Sequence, residues 1–389
     1  MGTRAHRGKY MRLSLLVLWM GVAAALSGCA ASRNAVPSHL VSETHFAGIP
    51  NVRTGYNRYD PDIRESLVDG ADCNFLALSG GGAKGAFGAG ILCGWSETGT
   101  RPDFQIVTGV STGALIAPFA FLGSGYDDEL KTAYTTVGSK DIFRFRGPIG
   151  IFRIFRRESY VETKPLRELI EKMFTERELA AIAERHAAGR RLYVGTTNLD
   201  SHRFVIWDMG AIADSGHPEA LDLFRKVLLA SASIPGAFPP VYFPVEADGE
   251  KFDEMHVDGG VIAGVFGYGP RLFQTMQESR IAPERPCSIY VIMNGKLSSE
   301  YEQTDPRFIA IVDRSFSTLM RRKAWTDLSE IHSEAEKDDV RFRYVAIPET
   351  YVLSDKPGFD KDAMNKLFEL GFVSARSGLV WDESIRIGP

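Results

Sequence analysis

Twice between residues 74 and 122 an apolar run ends in glycine and gives way to a helix-like stretch. The first is Asn74-Phe75-Leu76-Ala77-Leu78-Ser79, followed by Gly80-Gly81-Gly82 and then Lys84 to Trp95, with small residues on one side. The second is Gln105-Ile106-Val107, closing at Thr108-Gly109 before the apolar stretch Ala114 to Leu122. Short continuous apolar runs read as buried strands. Strand, glycine turn and helix, repeated, is the pattern of a mostly parallel sheet, whose strands need a crossover to return in the same direction. The chain is therefore expected to be α/β. Its 389 residues, 44% hydrophobic and 24% charged, supply a core for one large domain or two small ones.

Further along, Pro165 to Phe174 is a predicted amphipathic helix with proline in its first turn. Arg191 to Thr197 and Phe204 to Trp207 read as a hairpin, and Leu221 to Ala232 as a helix ended before Pro235. Ser288 to Met293 is a buried strand, Arg307 to Lys337 is largely helical, and Arg341 to Ile347 is a strand. Lys361 to Leu370 is a helix expected to stop at Gly371. Neither an internal repeat nor a clear second domain is visible.

The amino terminus reads as a targeting segment. A basic stretch ends at Arg12, and an apolar run extends from Leu13 to Leu26. That run is too short for a bilayer whose hydrocarbon core is ~30 Å thick, and it matches the apolar region of a signal peptide. Leu26-Ser27-Gly28-Cys29 resembles the lipobox of bacterial lipoproteins, in which the cysteine is lipidated. A plain secretory signal cut near Ala25 or Ala30 is the alternative. By the same resemblance, Ala30 after the cysteine favours the outer membrane. The expected organisation is a signal peptide over 1–28, a polar tether and lead-in over 29–72, and a domain over 73–389. The net charge of −4 falls to about −8 without Arg4, Arg7, Lys9 and Arg12, which argues against a nucleic-acid partner. Cys73, Cys93 and Cys287 are odd in number and form no metal-binding pattern; they are expected to be small buried apolar residues.

Three short patterns carry chemistry. Gly109-Val110-Ser111-Thr112-Gly113 matches G-x-S-x-G, in which a serine sits on a tight strand-to-helix turn with its hydroxyl exposed at a helix amino terminus. Ser79-Gly80-Gly81-Gly82-Ala83-Lys84-Gly85 presents backbone N–H groups that could cradle a phosphate or form an oxyanion hole; a close helix–strand crossing needs the same glycines. Ala86 stands where a Walker motif needs lysine. Gly80, Gly82 and Gly85 satisfy the Rossmann spacing only formally. Asp258-Gly259-Gly260 follows Met255-His256-Val257 and reads either as a turn or as a carboxylate offered at a strand end.

Together these patterns resemble the patatin-like phospholipase family. The glycine loop looks like the family's oxyanion loop, the Ser111 motif like its nucleophile elbow, and Asp258-Gly259-Gly260 like its aspartate element. Between them, Ala230-Ser231-Ala232-Ser233-Ile234-Pro235-Gly236-Ala237-Phe238-Pro239-Pro240 is similar to the family's Ala-Ser-x-x-x-Pro-x-x-Phe-x-Pro segment. The likeness covers roughly 74–270 and is diffuse over 271–389. Val261-Ile262-Ala263-Gly264-Val265 departs from the Asn-Pro that often follows the family's aspartate.

The resemblance implies a three-layer α/β/α fold and hydrolysis of fatty-acyl esters of membrane lipids. Ser111 would be the nucleophile, Asp258 its partner, and the Gly80, Gly81, Gly82, Ala83, Lys84 and Gly85 loop the oxyanion hole. No catalytic histidine and no cofactor or metal are implied. His202, His217 and His256 are the candidates for a competing triad, with His256 read as a satisfied polar residue near the site. Lys84 is expected to fix its loop. A binding module built on a silent hydrolase fold, and acyl transfer to an acceptor other than water, are the alternatives. Arg and Phe interleaved over 143–157, with Arg153, Arg156 and Arg157, suit either an anionic lipid surface or a partly buried segment with snorkelling arginines.

Overall fold

A computed structural model describes residues 33–46, 48–55, 73–145, 161–267, 287–298, 301, 303–353, 358–378 and 381–385. The leader, Cys29 and most of the basic-aromatic stretch lie outside these. Val36–Pro389 forms one compact unit.

In chain order the strands are β1 (Arg53–Gly55), β2 (Asn74–Leu78), β3 (Ile106–Val110), β4 (Arg144–Phe145), β5 (Val161–Glu162), β6 (Arg191–Asn198), β7 (Arg203–Asp208), β8 (Val241–Ala247), β9 (Glu250–Asp258), β10 (Ser288–Met293) and β11 (Arg341–Ala346). The helices are α1 (Gly85–Glu97), α2 (Thr112–Leu122), α3 (Asp127–Thr135), α4 (Ser139–Ile142), α5 (Lys164–Met173), α6 (Glu176–Ala187), α7 (Met209–Asp214), α8 (Ala220–Ser231), α9 (Phe308–Lys337) and α10 (Lys361–Arg376).

Among the described residues nine strands join in one sheet. Its centre, β6-β3-β2-β10-β11, is parallel throughout. Antiparallel β7, β1, β9 and β8 extend it beyond β6. Strand alternation divides the core in two. Leu76, Leu78, Val107, Leu192 and Val194 face the layer of α1, α2, α8 and α10. Phe75, Ala77, Ile106, Val110 and Tyr193 face the other side, where α9 supplies Leu328 and Ala335. This is the expected three-layer α/β/α arrangement. Each fully buried Phe, Leu or Val contributes roughly 1.5–3 kcal/mol of transfer free energy.

Several expectations change on contact with the fold. Gly371 does not end its helix: α10 runs on to Arg376. A Cβ there would meet the Phe87 carbonyl oxygen at 2.3 Å, and one at Gly90 would meet that of Phe368 at 2.0 Å. The glycines let α1 and α10 cross backbone to backbone, so Gly371 marks a contact and not a stop. Cys73 and Cys287 are not isolated apolar residues but a disulfide that ties the residue before β2 to the residue before β10. Only Cys93 is a free thiol among the described cysteines, and burial pushes its pKa up to about 12. Part of the polar lead-in is structural. β1 pairs with β7, and Phe46, Ile49 and Val52 are buried, too sparse a set to show a period in sequence. The region of diffuse resemblance supplies β10 and β11, which continue the parallel part of the sheet beyond β2 to its edge.

Candidate active site

The carboxyl ends of β2 and β3 place two motifs side by side. Ser111 follows β3 directly and caps α2, with φ 57° and ψ −126°. A positive φ is strained for serine and is what turns the chain sharply enough to aim the side chain outward from the sheet edge. Gly113 permits the turn, since a Cβ there would meet the Leu78 carbonyl oxygen at 2.3 Å. The glycine loop after β2 lies over the serine: a Cβ on Gly80 would sit 3.2 Å from the Ser111 Cβ.

Within that loop the backbone donors are already divided. Gly80 N–H donates to the Gly264 carbonyl at 2.9 Å, and Lys84 N–H to Gly81 O at 3.2 Å. Gly85 N–H points back to the Ala83 and Gly82 carbonyls. The N–H groups of Gly81, Gly82 and Ala83 have no such internal acceptor among the described residues. Asn294, at the end of β10, fixes the loop from below. Its Nδ2 donates to Ser79 O at 2.8 Å, its Oδ1 accepts Gly88 N–H at 3.1 Å, and its own N–H donates to Ser79 Oγ at 2.7 Å. Nothing in the sequence around Asn294 signals this role, because its partners are more than 200 positions away.

The elbow is held by the Ala-Ser segment. Ser231 Oγ accepts the Ser111 N–H at 3.0 Å and donates to Gly195 O at 2.7 Å. Ser233 O accepts the Asp258 N–H at 2.9 Å. One short stretch therefore binds both the serine and the aspartate through the backbone.

Asp258 is the last residue of β9 and is 0% exposed. Its Oδ1 accepts the Gly260 N–H at 2.7 Å. Burial pushes its carboxyl up to about 7, against the Ser111 hydroxyl and the Gly260 N–H, which favour the charged form. Its Oδ2 has no hydrogen bond of full geometry, so the contact with Ser111 is loose, as is common before substrate binds. Ser111 is 4% exposed.

His256 belongs to a different network. Its Nε2 lies 3.1 Å from Glu254 Oε2 and its Nδ1 2.9 Å from Thr196 Oγ1, which accepts Trp207 Nε1–H. The carboxylate can only accept, so Nε2 carries the proton and Nδ1 accepts from Thr196. Burial holds the ring neutral. Burial also opposes the charge of Glu254, but the His256 hydrogen bond and Arg53 outweigh it and hold its carboxyl at about 2. His256 is thus a satisfied core residue. Among the described residues no cluster of His, Cys, Asp or Glu could hold a metal ion, and no helix is long and apolar enough to cross a membrane.

Residues 76–266 match the family model for patatin-like phospholipase, a span that contains the glycine loop, Ser111, Ser231 and Asp258. Among solved structures, the chain is similar to the crystal structure of VipD from Legionella pneumophila, at 13% identity and TM-score 0.38, covering 79% of this chain and 67% of that one. It is also similar to the crystal structure of the type III effector protein ExoU, at 13% identity and TM-score 0.31, covering 80% of this chain and 54% of that one, about half its length. No curated protein sequence matches. Residues 76–266, just under half of the chain, are thus a patatin-like phospholipase domain, of a family of lipid hydrolases.

Proposed function

We propose that the protein hydrolyses fatty-acyl esters of membrane lipids through a Ser111–Asp258 dyad. The observation that carries this reading is a fully buried carboxyl, pushed up to about 7, whose side-chain partner is a serine on a strained elbow. Such an acid is a competent base near neutral pH.

Asp258 in its anionic form takes the Ser111 proton as Oγ attacks the ester carbonyl. The N–H groups of Gly81, Gly82 and Ala83 hold the oxyanion, aided by the positive end of α2. Gly80, Lys84 and Gly85 spend their N–H groups on shaping the loop. Collapse of the tetrahedral intermediate breaks the ester bond, and the leaving alcohol takes the proton back from Asp258. Water, deprotonated by the same carboxylate, then attacks the acyl-enzyme. The fatty acid leaves and Ser111 regains its proton. Loss of one oxyanion donor costs ~10²–10³ in rate.

The envelope is the proposed site of action, with lipidation at Cys29 and an outer-membrane destination. The Cys73–Cys287 disulfide supports export, since such bonds persist in oxidising compartments.

The test is labelling of the purified chain by a fluorescent fluorophosphonate. Labelling of the parent, its loss in Ser111→Ala and a large reduction in Asp258→Asn are expected. A folded parent that does not label, or a Ser111→Ala variant that labels equally, would sink the mechanism.

A further inference from the structure

The described large apolar side chains left exposed are Tyr301, Ile311, Val312, Leu319, Val352 and Val373. All but Val373 belong to the segments between β10 and β11 or just after β11. β10 and β11 run parallel to β2 and β3, so segments leaving their carboxyl ends lie at the edge of the sheet that carries Ser111. α9 returns from that edge, because its last residue, Lys337, leads into β11 at Arg341.

The two halves of α9 differ. In the carboxyl-terminal half Asp327, Leu328 and Ala335 are buried, whereas no described side chain from Ala310 to Thr326 is. At 100° per residue, Ile311, Val312, Ser315, Leu319 and Arg322 fall within one arc of about 100°. Met320, Ala324 and Asp327 fall on the opposite side. These hold the helix to the site: a Cβ on Gly260 would meet the Met320 methyl, one on Gly264 would meet Ala324, and Asp327 Oδ2 accepts the Gly264 N–H at 2.7 Å. Gly264 is also the acceptor for Gly80 of the glycine loop.

Charge reverses along the same helix. Ala310 to Trp325 carries Arg314, Arg321, Arg322 and Lys323 against Asp313, while Asp327, Glu330, Glu334 and Glu336 stand against Lys337 in the remainder. Lys323 turns to Asp327 in an ion pair, but an outward apolar arc flanked by arginines, on a chain of net charge −4, matches the boundary between acyl chains and anionic headgroups. We propose that the amino-terminal half of α9 docks on an anionic bilayer and holds the Ser111 edge of the sheet against it. This rests on the lipid-hydrolase reading and names the surface from which the substrate is drawn.

The experiment is an environment-sensitive dye placed on the full chain at Leu319→Cys, and on a control at Glu330→Cys, which is exposed three turns further from the site edge. Vesicles containing phosphatidylglycerol should shift the dye at 319 to the blue and leave the dye at 330 unchanged. Pure phosphatidylcholine vesicles should shift neither. Any amino-terminal anchor acts alike on both probes. Arg321→Gln with Arg322→Gln should weaken the phosphatidylglycerol response roughly ten- to thirty-fold, with fluorophosphonate labelling unchanged. No shift at 319, equal shifts at both positions, or equal responses to the two lipids would overturn the proposal. A shift that persists in Ser111→Ala, beside a parent that does not label, would separate failure of the hydrolase reading from failure of the docking.

Discussion

Asp258→Asn should make the protein more stable and nearly inactive, and the gain should depend on pH. The folded carboxyl titrates at about 7 because it is wholly buried, whereas an unfolded aspartate titrates near ~3.9. The folded state therefore keeps its proton longer, and stability falls as pH rises from about 4 to about 7, then levels. A carboxyl at about 7 when folded and ~3.9 when unfolded corresponds to about 4 kcal/mol above pH 8 and about 1–2 kcal/mol at pH 5. Asparagine removes this ionisation. Its Oδ1 still accepts the Gly260 N–H, but its amide protons face Ser111, at a cost of about 1–2 kcal/mol. The net expectation is a gain of roughly 2–3 kcal/mol at pH 8.5 and near zero at pH 5. Urea unfolding of both proteins across that range checks it, beside fluorophosphonate labelling at each pH. The parent's labelling rate should rise through a midpoint near 7 as Asp258 ionises. A stability difference flat with pH would refute the claim that Asp258 is a desolvated acid, whatever happened to activity.

Other perturbations probe what surrounds the dyad. Cys73→Ser should cost about 2–5 kcal/mol, and a reductant should lower the parent's urea midpoint to the variant's without moving the variant. Asn294→Ala leaves the Ser79 carbonyl without its side-chain donor; stability should fall by about 1–3 kcal/mol, and labelling of the still-folded protein should slow about ten-fold. Gly371→Leu drives a side chain into the Phe87 carbonyl, and thermal unfolding should show a loss of about 1–3 kcal/mol or more. His256→Gln should destabilise by about 1–3 kcal/mol yet leave the pH midpoint of labelling in place; a displaced midpoint would mean that the histidine does reach the dyad.

The central strands and the two helices that follow them were legible because their signals are local. An apolar run, a glycine turn and a helical stretch lie within about fifteen residues of one another, and the elbow motif states its own geometry. Ser231 was visible only as part of a family-like segment, and its use, accepting the Ser111 N–H, depends on a fold that brings residues 120 positions apart into contact. Asn294, Gly264 and the Cys73–Cys287 pair were illegible for the same reason. Each acts through a contact between β10 or its surroundings and a distant loop, and nothing in the flanking composition marks it. Gly371 was misread because a glycine that ends a helix and one that lets two helices touch look alike until the second helix is placed.

The carboxylates of β9 show why placement alone did not separate structure from chemistry. Glu254 and Asp258 lie four residues apart on one strand, and both are buried. Glu254 meets Arg53 and the protonated nitrogen of His256, which hold its carboxyl at about 2 and keep it a permanent anion. Asp258 meets a serine hydroxyl and a backbone N–H, and no cation is among the groups that set its titration near 7. Two buried carboxyls on one strand thus become a fixed ion in one case and a group titrating near neutrality in the other, and the partners account for much of the difference. The histidine between them goes to Glu254. With Nε2 engaged by Glu254, Nδ1 by Thr196 and the ring held neutral by burial, it stabilises the strand that presents Asp258 and stands outside the proposed dyad.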